Sequence, residues 1–108
     1  MSKLVAICPG HGPDTPGKRT PLFPDGTFMH ENTFNRAVAD KLEKHLQRCG
    51  FKTLVTTPRE NDAPLKTRTD LANKAKADFY ISIHANANTG IWGSAHEVDT
   101  FLPNTPRE

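Results

Sequence analysis

Three residues of this 108-residue chain combine a side chain that can bind metal with a position from which it can act: His11, Glu31 and His84. His84 closes the run Phe79-Tyr80-Ile81-Ser82-Ile83, and an amide side chain, Asn86, follows two places later. His11 sits between Gly10 and Gly12, just after the apolar run Leu4-Val5-Ala6-Ile7-Cys8. Glu31 opens a stretch of helical periodicity. Two neutral imidazoles and a carboxylate match the donor set of a catalytic zinc site, where three protein ligands leave a fourth position open to water. Each residue also has a plain structural explanation. A histidine after a strand can simply pack or turn, and a carboxylate in the first turn of a helix is favoured by the helix dipole.

The elements around these residues decide whether they meet. Residues 3–7 read as a strand buried on both faces, stopped by Pro9-Gly10. Residues 13–30 are rich in proline and lack any period, so they read as a long surface loop bordering a site, with a short hairpin at Pro24-Asp25-Gly26-Thr27. From Glu31 or Asn32 to Arg48 the pattern is helical. Phe34, Val38, Leu42 and Leu46, with Ala37 and Ala39 beside them, mark its apolar stripe, Asp40, Lys41, Glu43, Lys44 and Gln47 lie opposite, and Gly50 ends it. Residues 51–57 read as a second strand. A second helix starts near Pro64 with Asp62 as N-cap, carries Leu65, Leu71, Ala72 and Ala75 on its apolar face, and runs to Ala77. The strand ending at His84 follows, and residues 95–101 alternate as a further strand.

This order predicts an α/β fold, with a mostly parallel sheet flanked by helices, in one domain over residues 1–108. Parallel strands present their carboxyl ends along one edge, where open α/β sheets bind ligands. His11 and His84 both leave strands at that edge. The helix after the first strand must also start near it, which brings Glu31 into reach despite 20 and 53 residues of intervening separation.

Composition narrows the partners. Basic and acidic residues number 14 and 12, mixed along the chain, and no basic run with interleaved aromatics argues for nucleic acid. No apolar run is long enough to span a bilayer, and the first one is too short for a signal-peptide core. Cys8 and Cys49 form no CxxC pair and read as reduced, buried thiols of a protein folded in the cytoplasm.

Three stretches together resemble the zinc-dependent N-acetylmuramoyl-L-alanine amidases of the amidase 3 type. These are LVAICPGHG, the glutamate of MHENTFNRAVADKLEKHL, and LKTRTDLANKAKADFYISIHANA. The resemblance covers nearly the whole chain. It implies a hydrolase that cuts the amide between N-acetylmuramic acid and the first residue of the peptide stem of peptidoglycan. It implies Zn2+ held by His11, Glu31 and His84, with Asn86 bordering the site and Glu97 on the substrate side. Members of the family use a second glutamate as general base on a late strand, which this resemblance would place beyond Glu108. Glu97 and Glu108 do not match that residue, and Ala95 stands where a glycine is usual.

The expectation is therefore an incomplete amidase domain that holds metal, made without a signal peptide in the manner of a phage or prophage endolysin and acting at the bacterial cell wall. An unpaired sheet edge would favour self-association. Two other functions remain open on the residues: an inactive module that binds muropeptides, and another metal-dependent amidohydrolase. Arg59, Arg68 and His30 are candidates for substrate contact, with solvated surface the more ordinary role for each.

Overall fold

The computed structural model describes residues 2–13, 15–57, 62–85 and 91–94. Strand β1 (Leu4–Pro9) is followed by helix α1 (Glu31–Arg48), strand β2 (Lys52–Val55), helix α2 (Leu65–Lys74) and strand β3 (Phe79–Ile83). The sheet order is β2-β1-β3 and both pairings are parallel. The α/β architecture expected from the sequence is present. The strand expected over residues 95–101 lies outside the described residues.

β1 is central because its Val5, Ala6, Ile7 and Cys8 can be buried on both faces, and all four are. Alternation along the strand sends Val5 and Ile7 to one face and Ala6 and Cys8 to the other. α1 covers the first face, where Val5, Ile7 and Ala39 form the core with Leu42, Leu46, Ile81 and Ile83 against them. α2 lies over the second face, its buried Arg68 reaching Cys8 Sγ at 3.2 Å. Asp78 clips the starts of β1 and β3 together: Leu4 N–H donates to its carboxylate and its own N–H donates to Leu4 C=O, both at 2.8 Å.

The buried face of α1 differs from the expected stripe. Ala39 is buried as expected, but Asn32, Asn35 and Arg36 are buried with it, whereas Phe34 is exposed. A strict step of four advances about 40° per step around a helix of 3.6 residues per turn, so Phe34 falls roughly 120° away from Leu46. The polar start of the buried face lies over the carboxyl ends of the strands, where loop backbone needs hydrogen-bond donors. The apolar face expected for α2 holds only in part: Ala72 is buried, but Leu65 and Leu71 are exposed and Arg68 is the other buried residue. Pro64, not Asp62, is the N-cap of α2. Of the two thiols, Cys8 is buried as expected and Cys49 is exposed.

Both helices end in the same hydrogen-bonding pattern. After α1, Phe51 N–H reaches Leu46 C=O and Gly50 N–H reaches Gln47 C=O, each at 3.0 Å. After α2, Ala77 N–H reaches Ala72 C=O and Lys76 N–H reaches Asn73 C=O, again at 3.0 Å. This is the Schellman arrangement, which places one residue in the left-handed region. Gly50 occupies that place at φ 96°, but Lys76 does so at φ 58°, where a Cβ is unfavourable. Gly50→Ala is expected to lower stability by about 1 kcal/mol, and Lys76→Gly to raise it by up to about 1 kcal/mol. Urea titration followed by circular dichroism checks the pair, and the two shifts should have opposite signs.

Candidate metal centre

The strand order reverses at β1, whose two neighbours are reached by connections running in opposite directions across the sheet. The carboxyl ends of β1 and β3 therefore flank the switch point at which open α/β sheets form a crevice. His11 leaves β1 there and His84 leaves β3. Gly10 N–H donates to Ile83 C=O at 2.9 Å, which continues the pairing one step past the strand ends and keeps the two exits together.

Local backbone chemistry fits this crossing. A Cβ on Gly10 would stand 2.4 Å from Cε1 of His84, so glycine is what allows that imidazole to lie against the first loop. His11 itself has φ 61°, a left-handed conformation that costs about 1–2 kcal/mol for a residue with a Cβ. Such a conformation persists where its surroundings over-determine it.

Glu31 lies between the two histidines. Its Oε1 is 3.5 Å from His11 Nε2 and its Oε2 is 3.2 Å from His84 Nδ1. The imidazole rings meet edge to face, with centroids 5.1 Å apart and planes at 79°. One donor atom from each residue falls within 4.8 Å of the other two. Tetrahedral ligands at zinc distances are roughly 3.3 Å apart, so the set is compatible with one zinc ion after small side-chain adjustments. Glu31 Oε2 also accepts the Ala85 backbone N–H at 3.0 Å and the Asn35 amide at 3.1 Å. These bonds fix the carboxylate and leave Oε1 the freer ligand oxygen, which is the kind of outer support that metal ligands require. The Glu31 side chain is 11% exposed and that of His84 45%, so the cluster opens to solvent on the His84 side.

The three residues expected at the site are thus brought together. Asn86, Glu97 and Glu108 lie outside the described residues, as does Arg59. His30 is half-buried, with its ring edge-to-face against Phe28. Arg68 is no solvated surface residue: it is 4% exposed and bonds to the backbone beneath His11. Asp62, expected as a helix cap, pairs with that guanidinium at 3.0 Å and accepts the Thr15 hydroxyl at 2.8 Å. Sequence reasoning also missed Asn32 and Asn35, whose amides donate to Gly10 C=O at 2.7 and 3.2 Å. Two asparagines three apart, next to the glutamate and in phase with Ala39, were the available signal.

A parallel α/β sheet with two imidazoles and a carboxylate at its switch point defines a domain with a candidate metal site. Residues 5–102 match the amidase 3 model, described as N-acetylmuramoyl-L-alanine amidase, and the chain belongs to that family. It is 32% identical to an uncharacterized cell wall amidase of Bacillus anthracis over 98% of its own length and 20% of that protein's. The crystal structure of an N-acetylmuramoyl-L-alanine amidase from Clostridium difficile 630 superposes with a TM-score of 0.70 at 30% identity, covering 86% of this chain and 48% of that one. The catalytic domain of CwlV, an N-acetylmuramoyl-L-alanine amidase from Bacillus (Paenibacillus) polymyxa var. colistinus, gives a TM-score of 0.66 at 31% identity, covering 81% and 48%. The chain thus spans about a fifth of that curated relative's length and just under half of each solved chain.

The charges at the centre are set by their neighbours. Burial holds the His11 imidazole below its ordinary pKa; the Glu31 charge opposes this, and His84 and Lys18 reinforce it. Burial pushes the Glu31 carboxyl up, but the Ala85 N–H, the Asn35 amide and the two histidines outweigh it, and the net shift is downward. A neutral imidazole and an ionised carboxylate are the forms that bind metal. In the unfolded chain these groups take up protons near about pH 6.5 and pH 4.3, and in the folded chain only at lower pH. Unfolding in acid therefore binds protons, and stability falls as pH falls. The metal-free protein is expected to lose stability first below about pH 6.5 through His11, and again below about pH 4.3 through Glu31. Denaturant titrations across that range check this, and a midpoint that rises on acidification would contradict it.

Proposed function

We propose that this chain forms the zinc-binding part of a peptidoglycan hydrolase that cleaves the amide between N-acetylmuramic acid and the L-alanine of the stem peptide. The observation that carries the reading is the convergence of His11, Glu31 and His84, with their donor atoms within 4.8 Å, in a chain of the N-acetylmuramoyl-L-alanine amidase family. On this reading the three side chains hold Zn2+. Zinc, when bound, supplies Lewis-acid chemistry, polarising the scissile carbonyl and acidifying water.

The protein's own groups do the rest. Glu31 stays ionised because Ala85 N–H and the Asn35 amide hold its carboxylate. His11 is kept in its neutral, metal-binding form by burial. The open side next to His84 admits the substrate amide, and we assign Asn86 and Glu97 to substrate contact there. Among the described residues, no carboxylate other than Glu31 belongs to the cluster. By the family resemblance we assign the general base, which would take a proton from water and pass it to the leaving amine, to a glutamate on a late strand beyond Glu108. The enzyme's place of action on this reading is the bacterial cell wall, and its partner is peptidoglycan.

Elemental analysis of the purified chain is expected to find about one equivalent of zinc, and His11→Ala or His84→Ala to weaken its binding by more than about 100-fold. Full zinc content in both variants would remove the ligand assignment. Incubation with purified cell wall, assayed for new free amino termini, tests the reaction. Zinc uptake and muropeptide binding without new termini would assign this chain to binding instead of cleavage.

The same reading includes self-association. Among the described residues β2 and β3 form the two sheet edges, and Val5, Leu42, Leu46, Phe51, Phe79 and Ile81 line an apolar groove of about 260 Å³ beside β3. Exposed, unpaired edges of this kind promote pairing between chains. Light scattering is expected to show mass above that of the monomer, rising with concentration. A monodisperse monomer at high concentration would contradict it.

A further inference from the structure

The strongest unassigned feature is a buried cation that touches the backbone of one cluster residue but none of the three cluster side chains. Arg68 extends from α2 under the sheet's carboxyl edge, and its three nitrogens meet five acceptors. Nε donates to Ala63 C=O at 2.8 Å. Nη1 donates to Pro9 C=O at 2.7 Å and lies 3.2 Å from Cys8 Sγ. Nη2 donates to His11 C=O at 2.9 Å and to Asp62 Oδ1 at 3.0 Å. Three of these acceptors belong to the last residues of β1 and the turn that carries His11.

A buried guanidinium is costly unless its hydrogen-bonding capacity is filled. Here three backbone carbonyls, two of them at Pro9 and His11, fill it together with the Cys8 sulfur and the Asp62 carboxylate. The carbonyl of His11 also accepts the Asn32 amide at 3.0 Å, so it is gripped from α1 on one side and from α2 on the other. The residue thus gripped is the one in the left-handed conformation. The following N–H, of Gly12, donates to Thr15 Oγ1 at 2.7 Å, and that hydroxyl donates to Asp62 Oδ2. Asp62 therefore joins both ends of the turn: through Arg68 to the carbonyl of His11, and through Thr15 to the next amide.

We propose that Arg68, braced by Asp62, is a positioning residue that holds the backbone of His11 left-handed so that its imidazole faces Glu31 and His84. The inference rests on the metal reading of those three residues. Arg68 acts from behind the ligand, through two carbonyls, with no contact to the metal or to substrate. The planar fork matters here, because a lysine ammonium cannot reach Pro9, His11 and Asp62 together.

Two variants test this. Arg68→Lys keeps the charge but loses the fork. Asp62→Ala removes a side chain that is 40% exposed, and the fold should survive it. In each, zinc affinity by competition with a chelator is expected to fall about 10–100-fold, as for other supports of metal ligands. The visible spectrum of the cobalt(II)-loaded protein at saturation should change as well, reporting an altered ligand geometry that a purely global loss of stability would not produce. Unchanged affinity and spectrum in whichever variants fold would overturn the proposal. A wild-type chain that takes up no zinc removes the metal reading instead. The Cα chemical shift of His11 in the metal-free protein then decides: a move out of the left-handed range in Arg68→Lys or Asp62→Ala supports positioning, and retention of the wild-type shift in the folded variants overturns it.

Discussion

A carboxylate placed mostly out of water between two imidazoles has to be compensated, and the folded edge of this protein is arranged around that requirement. Glu31 carries a charge that burial disfavours. The groups that restore it come from each element meeting at the edge: His11 from the exit of β1, His84 and the Ala85 N–H from the exit of β3, and Asn35 from its own helix. No single element could supply them. The parallel pairing of β1 with β3, extended by the bond from Gly10 to Ile83, is what makes the two strand exits neighbours. The fold's topology and the site's electrostatics are thus one constraint seen at two scales.

What could be read from sequence follows from where the signals are local. Strands announce themselves as apolar runs, and their ends are marked by Pro9-Gly10 and by the polar residues after Ile83. Two histidines at strand ends were therefore visible, and parallel order implied a shared edge. Glu31 was visible as the first residue of a helix that had to begin at that edge. These inferences needed chain direction and element type, and no knowledge of side-chain packing.

The supporting residues were not readable in the same way, and the reason is physical. Arg68, Asn32 and Asn35 are polar, and polar residues at helical spacing normally face water. They are buried because the backbone at Gly10 and His11 has turned away from the sheet ladder and needs donors. That need exists only once the turn is formed, so the phase of Asn32 and Asn35 with Ala39 is the one local trace of it in α1, and α2 carries none for Arg68. The misplacement of Phe34 has the same origin. An apolar stripe drawn from hydrophobicity alone assumes that the sheet face is apolar along its whole length, yet the end of α1 over the site is matched to backbone carbonyls.

The two helices therefore divide the work unequally along their lengths. The part of α1 from Ala39 onward, with Leu42 and Leu46, packs on Val5, Ile7 and Ile81 and supplies the apolar burial. Its N-terminal half, together with Arg68 of α2, holds polar backbone. Apolar packing tolerates sliding, since dispersion and burial are not directional. Hydrogen bonds to fixed carbonyls do not tolerate it, because they weaken steeply with angle. Placing the directional contacts at the edge and the non-directional ones beneath it lets a small, partly exposed core coexist with a tightly defined cluster. A change in the apolar half should thus act mainly on stability, whereas one at Asn32 or Arg68 should act on the geometry of His11.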